Sequence, residues 1–364
     1  RLMVQQKKML PQLVEKMKGI HLLGTAGGTA AAEKMGDLPV QNWRRGNWPD
    51  AEKITGQVMA DTILKKNYYC GSCPIGCGRD VEIKEGRWAG VRGAGPEYET
   101  LGLMGGSCLV NDLEAITYAA DLCNRHGVDT IEAGSAVAMA MECFEEGLLS
   151  LKDLDGISAD WGSAEALAAL TEKICLAEGA GKLLGLGVAG MAKMIPGSEK
   201  FAVHVKGLTL PAHDPRCFST MAVGYATSNR GACHLTGASY FFEKTAVMPE
   251  FGYEKPRPRY TEGGEGKMNF HTQNLMGIMD SLKMCKFTIY GGVSFTEVCE
   301  WYEAVTGEKT SVEEMAEAGE RIFNLKRLYN TRLGLSRKDD VLPERILTTP
   351  RNDEGTGDYT PELE

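Results

Sequence analysis

NDLEAITYAADLCNRHGVDTIEAGSAVAMAMECFEEG, residues 111–147, decides the fold class. Its first part opens at a helix cap, Asn111 or Asp112, repeats Leu113, Ile116, Ala120 and Cys123 on one face, and stops at Gly127. Steps of three and four put those side chains on one stripe of a 3.6-residue turn, and the polar start and glycine stop supply its ends. A second helical run, TIEAGSAVAMAMECFEEG, follows and ends at Gly147. Further out, SAEALAALTEKICLAEG runs from a cap at Ser163 to Gly179. SVEEMAEAGERIFNLKRLYNTRLG opens with a capping box, Ser311 with Glu314, and closes at Gly334. Alternating strands are scarce, and FAVHVKG, residues 201–207, is the best candidate. The sequence predicts a mainly α fold of two irregular multi-helical domains with few short strands. The expected boundaries are 1–200 and 201–350, divided after MIPGSEK, with a polar, mobile tail at 351–364.

Composition bounds the function. Apolar residues make up 43% and charged residues 24% of 364, the proportions of a globular protein with a large core. Net charge is −9 with both signs interspersed, which recommends neither nucleic acid nor an anionic membrane as partner. No run of about 18 apolar residues predicts a membrane span. The opening RLMVQQKKMLPQLVEKM has no signal-peptide pattern and no initiator Met, and is expected to belong to something longer. Cysteines number 11, an odd and high count that argues against a secreted disulfide framework and for a reducing cytoplasm. Two glycine patterns are decoys. GLGVAG, Gly185 to Gly190, follows a helix rather than a strand, and GTAGGTA, from Gly24, lacks the Lys-Ser/Thr ending of a phosphate loop and reads as a flexible turn.

YCGSCPIGCGRDV, residues 69–81, carries the chemistry. Cys70, Cys73 and Cys77 supply three thiolates from one tight loop, Gly71, Gly76 and Gly78 let the backbone curl, and Pro74 stiffens it. Structural zinc more often takes two C-x2-C knuckles or a knuckle with paired His, and neither follows here. A cubane iron–sulfur cluster takes closely spaced Cys residues and a fourth from afar, which the spacing favours. Zinc and plain structural thiols stay open on spacing alone. So does the fourth ligand, for which Cys108, Cys217, Cys233 and Cys285 compete.

CGSCPIGCGR, GAGPEYET, NDLEAI, NRHGVDTIEAG, LPAHDPR, YATSNRGACH and MDSLKMCKF occur in this order. The series resembles the tungsten-containing aldehyde:ferredoxin oxidoreductase family from about residue 22 to about residue 350. The resemblance implies the second and third, helical, domains of a three-domain parent whose amino-terminal β-rich domain, the platform for a tungsten (or molybdenum) bis-pterin, is not in this sequence. It implies Cys285 as the fourth ligand of a [4Fe–4S] cluster with Cys70, Cys73 and Cys77. It also implies two pterin motifs of the form D-x-x-G-L followed by Asp or Cys. The first is Asn124, Gly127, Val128 and Asp129, with Asn for the leading Asp. The second is Asp280, Lys283, Met284 and Cys285, with Lys for Gly. A carboxylate accepts from the N–H groups of a pterin as it would from a guanidinium, whereas Asn124 accepts without charge. The second motif ends on a cluster ligand, which would give electrons a short path to a ferredoxin-like carrier.

Glu99 in GPEYET matches the family's carboxylate beside the metal and His234 in RGACH its histidine; Glu97 is the fallback if the register is off by two. A buried Glu suits proton removal from water and a His donor suits carbonyl polarisation. Lys206, His213, Asp214 and Arg216 are open between cofactor contact and a buried ion pair. The positions matching a shared intersubunit iron read as Tyr118 and Asp121, so that metal is not expected, while a homodimer stays open. The first function expected is oxidation of small aldehydes to carboxylic acids, with ferredoxin as acceptor. Two alternatives stand beside it. One is the tungsten subunit of a benzoyl-CoA reductase, which acts on aryl substrates and for which Cys108 would be the metal thiolate. The other is a non-catalytic iron–sulfur or zinc module.

Overall fold

The structure, a computed structural model, describes residues 2–261 and 263–362. The helices that position the site are α1 (Leu2–Lys16), α2 (Thr29–Met35), α3 (Leu113–His126), α4 (Thr130–Glu145), α5 (Ala164–Leu176), α6 (Ser219–Thr227), α7 (His234–Gly237), α8 (Glu265–Ser281), α9 (Phe295–Thr306) and α10 (Val312–Arg332). Their ends follow local chemistry. Asp112, not Asn111, caps α3, its Oδ1 accepting the N–H groups of Glu114 and Ala115 at 3.0 Å. Gly127 closes it at φ +70°, where a Cβ would be strained. Ser163 caps α5, which ends at Leu176, earlier than expected, because Ala177 takes the left-handed conformation. The Ser311–Glu314 capping box opens α10, and an unpredicted one, Ser294 with Glu297, opens α9.

The strands differ most from the sequence reading. Residues 201–207 contain only β4 (His204–Val205), hairpinned to β5 (Leu208–Thr209) through Lys206 and Gly207, both at positive φ. Ahead of them in the chain, β1 (Leu64–Tyr68), β2 (Gly78–Glu82) and β3 (Arg92–Ala94) form a three-stranded antiparallel sheet in the order β1-β2-β3. Its register pairs Tyr68 with Gly78 and Val81 with Gly93, with an irregularity between Leu64 and Lys66. LKKNY has no apolar alternation, so hydrophobic periodicity passes over it. GTAGGTA is not a flexible turn: Thr25–Gly28 is a 3-10 helix leading straight into α2.

The chain divides into two compact units, at Cys217/Phe218 rather than near residue 200. One comprises Gly19–Cys217 and Leu342–Glu362; the other comprises Phe218–Val341 and the amino-terminal segment up to Lys18. In the first, α4 is the core helix. Every residue from Ala133 to Cys143 is buried, which its Ala, Gly and Met content permits at close range. Gly134 meets the fully buried π-helical turn Leu101–Gly106, where a Cβ would lie 2.9 Å from the carbonyl carbon of Leu103. The buried Glu142 on α4 is bracketed by Arg345 at 2.7 and 2.8 Å and by Asn42 Nδ2 at 2.6 Å.

The segment expected as a mobile tail is instead part of this unit. Arg351, fully buried, donates to Asp214 at 2.8 Å, to Asp353 at 2.6 Å and to the carbonyls of Leu38 and Gly46. Arg216, also fully buried, grips Asp214 at 2.7 and 2.9 Å. Burial pushes the Asp214 carboxyl up, and the two guanidiniums overcome it, holding the group below the usual carboxylate range.

In the second unit α8 is central and packs on α6, α7 and α10. The axes of α8 and α10 close at two glycines: a Cβ on Gly319 would stand 2.4 Å from the Asn274 carbonyl oxygen, and one on Gly277 3.6 Å from that of Gly319. Glu243 is buried against Ser219, Thr220 and Arg257, and burial pushes its carboxyl up to about 7. Among the described residues no helix is long and apolar enough to cross a membrane.

Candidate functional site

The three clustered cysteines lie on the β1–β2 connection of the first unit. Cys70 is exposed and Cys73 and Cys77 are half-buried. The loop is moored from several sides. Ile75 is buried, its carbonyl accepts from His21 Nδ1 at 2.7 Å, and Asn67 donates to the His21 carbonyl at 2.8 Å. Arg79, also buried, donates to the carbonyls of Ile20 and His21 at 2.8 and 2.6 Å. Burial lowers the proton affinity of Arg79, and the nearby Glu97, Cys77 and Tyr69 act the other way. Gly76 has φ +64°, a left-handed conformation that glycine takes without strain, and the Tyr69 ring lies over it where a Cβ would stand 2.2 Å away. The peptide N–H of Cys73 bonds the Cys70 carbonyl at 3.1 Å, and that of Ile75 points at Cys73 Sγ at 3.3 Å.

Glu99 sits in the short helical turn Tyr98–Thr100, ahead of the buried π-helical turn. Its Oε2 accepts the Ala212 N–H at 2.5 Å, and its Oε1 lies 3.6 Å from His213 Nε2. The side chain is 17% exposed, and burial pushes its carboxyl up to about 7, against the pull of His213 and the Ala212 N–H. The other edge of the His213 ring faces the fully buried Asp37, with Nδ1 at 2.9 and 3.0 Å from its two oxygens. Tyr98 packs its ring 4.8 Å from the imidazole and donates its hydroxyl to the Ala212 carbonyl at 2.6 Å. Glu97, the alternative in register, turns the other way: Thr25 Oγ1 donates to it, and burial raises its carboxyl. His234 opens α7 in the second unit and is half-buried.

The two motifs that the resemblance assigns to a pterin are helix C-caps of one design. In the first, Gly127 is left-handed and the Val128 N–H reaches the Cys123 carbonyl, five residues back, at 2.9 Å. In the second, Lys283 is left-handed at φ +59° and the Met284 N–H reaches the Met279 carbonyl, again five back, at 2.9 Å. The Gly→Lys departure therefore keeps the turn and forces a side chain into a conformation suited to glycine. Asn124 and Asp129 are exposed, and Asp129 caps α4 by accepting the Ile131 N–H at 2.9 Å. Asp280 is exposed and pairs with Lys286 at 2.8 Å. It lines a cavity of about 880 Å³ with Arg230, Cys233, Lys286 and Tyr329, all of the second unit. Cys285, in the same unit, is exposed, and its carbonyl accepts from Thr288.

The ambiguous residues divide. Asp214 and Arg216 are the ion pair already described and Lys206 is a hairpin turn, whereas His213 belongs with Glu99. Cys108 is buried in the core, donates to the Leu103 and Gly134 carbonyls at 3.4 and 3.5 Å, and has its thiol pushed up by burial alone, the setting of a packing residue. Tyr118 stacks on Trp88 and Asp121 pairs with Arg125 at 2.8 Å. Sequence reasoning did not single out Asp37 or Arg79. The only signal for Arg79 is its place two residues after Cys77, and nothing local marks Asp37.

A mainly α-helical protein of two multi-helical units, one bearing a three-thiol loop and a buried carboxylate–imidazole pair, is the class these features define. Within it the chain belongs to the aldehyde ferredoxin oxidoreductase family: the family model described as "Aldehyde ferredoxin oxidoreductase, domains 2 & 3" matches residues 2–364. The tungsten-containing aldehyde ferredoxin oxidoreductase of Pyrococcus furiosus is 35% identical over 336 residues, 91% of this chain and 53% of that protein. The Thermococcus kodakarensis protein of the same name is also 35% identical over 91% of this chain and 53% of its own length. The aliphatic sulfonate oxidoreductase WOR-like subunit of P. furiosus is 29% identical over 88% of this chain and 49% of that one. The chain thus spans about half the length of the curated relatives it matches. Its fold is similar to that of the active-site complex BamBC of benzoyl coenzyme A reductase in complex with 1,5-dienoyl-CoA, with a TM-score of 0.69 and 17% identity, covering 91% of this chain and 59% of that chain.

Proposed function

We propose that this chain supplies the two helical domains of a tungstopterin and iron–sulfur oxidoreductase. The whole enzyme oxidises small aldehydes to carboxylic acids and delivers the electrons to a ferredoxin-like carrier. The observation that carries this reading is Glu99, a buried carboxyl whose proton affinity lies near neutrality, hydrogen-bonded to Ala212 and facing an imidazole. Converting an aldehyde and water to a carboxylic acid releases two protons and two electrons. The tungsten bis-pterin, when bound, would supply the two-electron redox chemistry, and a cluster held by the cysteines would supply single-electron transfer.

The residues fit these groups. Cys70, Cys73 and Cys77 offer soft thiolate donors from one moored loop, in which the Ile75 N–H already meets Cys73 Sγ; Cys285 is the fourth ligand on this reading. The Asp129 and Asp280 carboxylates, with Asn124 as a neutral acceptor, suit the N–H edge of a pterin. Gly127, Val128, Lys283 and Met284 shape the two caps that present them. Glu99 takes the proton of the attacking water, for which a group titrating near pH 7 is matched to its task. His234 orients the substrate carbonyl.

The test uses the full-length protein, prepared anaerobically. Expected are about four iron with acid-labile sulfide, loss of the iron signal in Cys73→Ser, and aldehyde-dependent reduction of ferredoxin that falls by about 10²–10⁴ in Glu99→Gln, the usual worth of a general base. One zinc without sulfide would sink the reading in favour of a non-catalytic module. Turnover of aryl-CoA esters but not aldehydes would sink it in favour of ring reduction.

A further inference from the structure

The reach of Glu99 ends, on the reading above, at the water it deprotonates. The geometry around it extends further. His213 stands between two carboxyl groups, with Nδ1 on Asp37 at 2.9 Å and Nε2 toward Glu99 at 3.6 Å. Asp37 cannot drift. It follows the left-handed Gly36 that ends α2, its N–H bonds the Ala32 carbonyl at 2.8 Å, and its own carbonyl accepts the Asp214 N–H at 2.9 Å. The carboxylate is fully buried and the imidazole nearly so. A buried carboxylate on one ring nitrogen fixes which edge of an imidazole the other partner meets. Tyr98 lies against the ring and anchors the Ala212–His213 backbone through its hydroxyl, so the nitrogen facing Glu99 is held in place.

We propose that His213, clamped by Asp37, is a positioning residue and proton relay for Glu99: the proton that Glu99 collects passes from its Oε1 to His213 Nε2. The step breaks one O–H bond and forms one N–H bond. Glu99 returns to the carboxylate, the imidazolium keeps its Nδ1–H on Asp37, and the net charge of the three groups is unchanged. No oxidant or further reactant is needed. The proposal rests on the reading of Glu99 as the base and deepens it. The ionisable groups that bear on Glu99 in its own unit are His213, Asp37 and Asp129, the first lowering and the other two raising its proton affinity. Loss of the imidazole therefore moves the Glu99 titration upward.

The test has two arms. In this chain, labelled with ¹⁵N-histidine, the His213 ring shifts should report a protonated Nδ1 and an inflection at the pH where Glu99 titrates. That inflection should vanish in Glu99→Gln, and the Nδ1 signature should be lost in Asp37→Asn, which keeps the ring. The Glu99 carboxyl, followed by infrared difference against Glu99→Gln, should titrate at higher pH in His213→Gln. An inflection that persists in Glu99→Gln, or a Glu99 titration unmoved in His213→Gln, would overturn the relay. In the full-length enzyme, His213→Gln should lower kcat about tenfold with KM nearly constant and shift the acid limb of the pH profile upward, whereas Asp37→Asn, which removes a negative charge that raises the proton affinity of Glu99, should move that limb downward. Here a wild-type profile in His213→Gln beside an inactive Glu99→Gln sinks the relay alone. Wild-type turnover in Glu99→Gln sinks the base assignment, and the relay with it.

Discussion

Glu99 concentrates the conflict between stability and chemistry in one side chain. A carboxyl whose proton affinity is raised by burial favours the neutral form in the folded state. Its contribution is fully present below the ordinary carboxylate range, near pH 4.5, and is lost as pH rises through about 7. A rise of that size corresponds to about 3 kcal/mol. Glu99→Gln, isosteric and uncharged, should match the wild type in stability at pH 4 and exceed it by about 2–3 kcal/mol at pH 8, read by denaturant unfolding. Equal stability at both pH values would mean that Glu99 is not buried in solution. The sequence led to Glu99 and to the cysteine trio because each sits in a short local motif. It could not lead to Asp37, whose partner His213 is 176 residues away, because a long-range contact has no local signature. Nor could it rank His213 above Asp214 and Arg216: all three lie within four residues, and only packing separates the imidazole that faces Glu99 from the ion pair behind it.

At the scale of elements, legibility tracked the chemistry of ends. Helices announced by a cap and a stop, such as α3 and α10, were legible to within a residue or two, since Asp112 and the Ser311–Glu314 pair satisfy backbone N–H groups that nothing else would. The β1–β2–β3 sheet was not, because its strands are short, polar on several faces and specified by what they moor. The two C-caps make a direct comparison. Gly127 fills the left-handed position in one, Lys283 in the other. A left-handed non-glycine residue costs about 1–2 kcal/mol, and glycine's extra freedom in the unfolded chain returns about half of that. Lys283→Gly should therefore stabilise the second unit by about 0.5–1 kcal/mol, visible as a rise in its thermal transition. Gly319→Ala runs the other way. Alanine in mid-helix is worth about 1 kcal/mol over glycine, but its Cβ would stand 2.4 Å from the Asn274 carbonyl oxygen, a backbone atom that cannot step aside. The clash outweighs the propensity, and a net loss of about 1–3 kcal/mol is expected in the same melt.

For the molecule as a whole, the telling feature is that sequence order and packing part company. A chain read in order suggests two consecutive domains and a tail. The structure returns residues 342–362 to the unit formed by Gly19–Cys217, and it does so through charge. PRNDEGTGDYTPELE looks disordered by composition because charged and turn-forming residues dominate it, and composition does not record that Arg351 has a buried carboxylate waiting at Asp214. Arg351→Met tests which description holds. It would leave Asp353 and the Leu38 and Gly46 carbonyls without their shared donor in a fully buried setting, and breaking one side of a buried pair costs about 3–5 kcal/mol. Arg87→Met breaks an ion pair whose two side chains are 59% and 62% exposed, and such a pair is worth about 1 kcal/mol or less. Denaturant unfolding of the two variants should separate by at least about 2 kcal/mol, with Arg351→Met also opening residues 342–362 to limited proteolysis. Equal losses would mean that this segment is the loose tail its composition suggests, and that the ion cluster at Asp214 does not hold the unit closed.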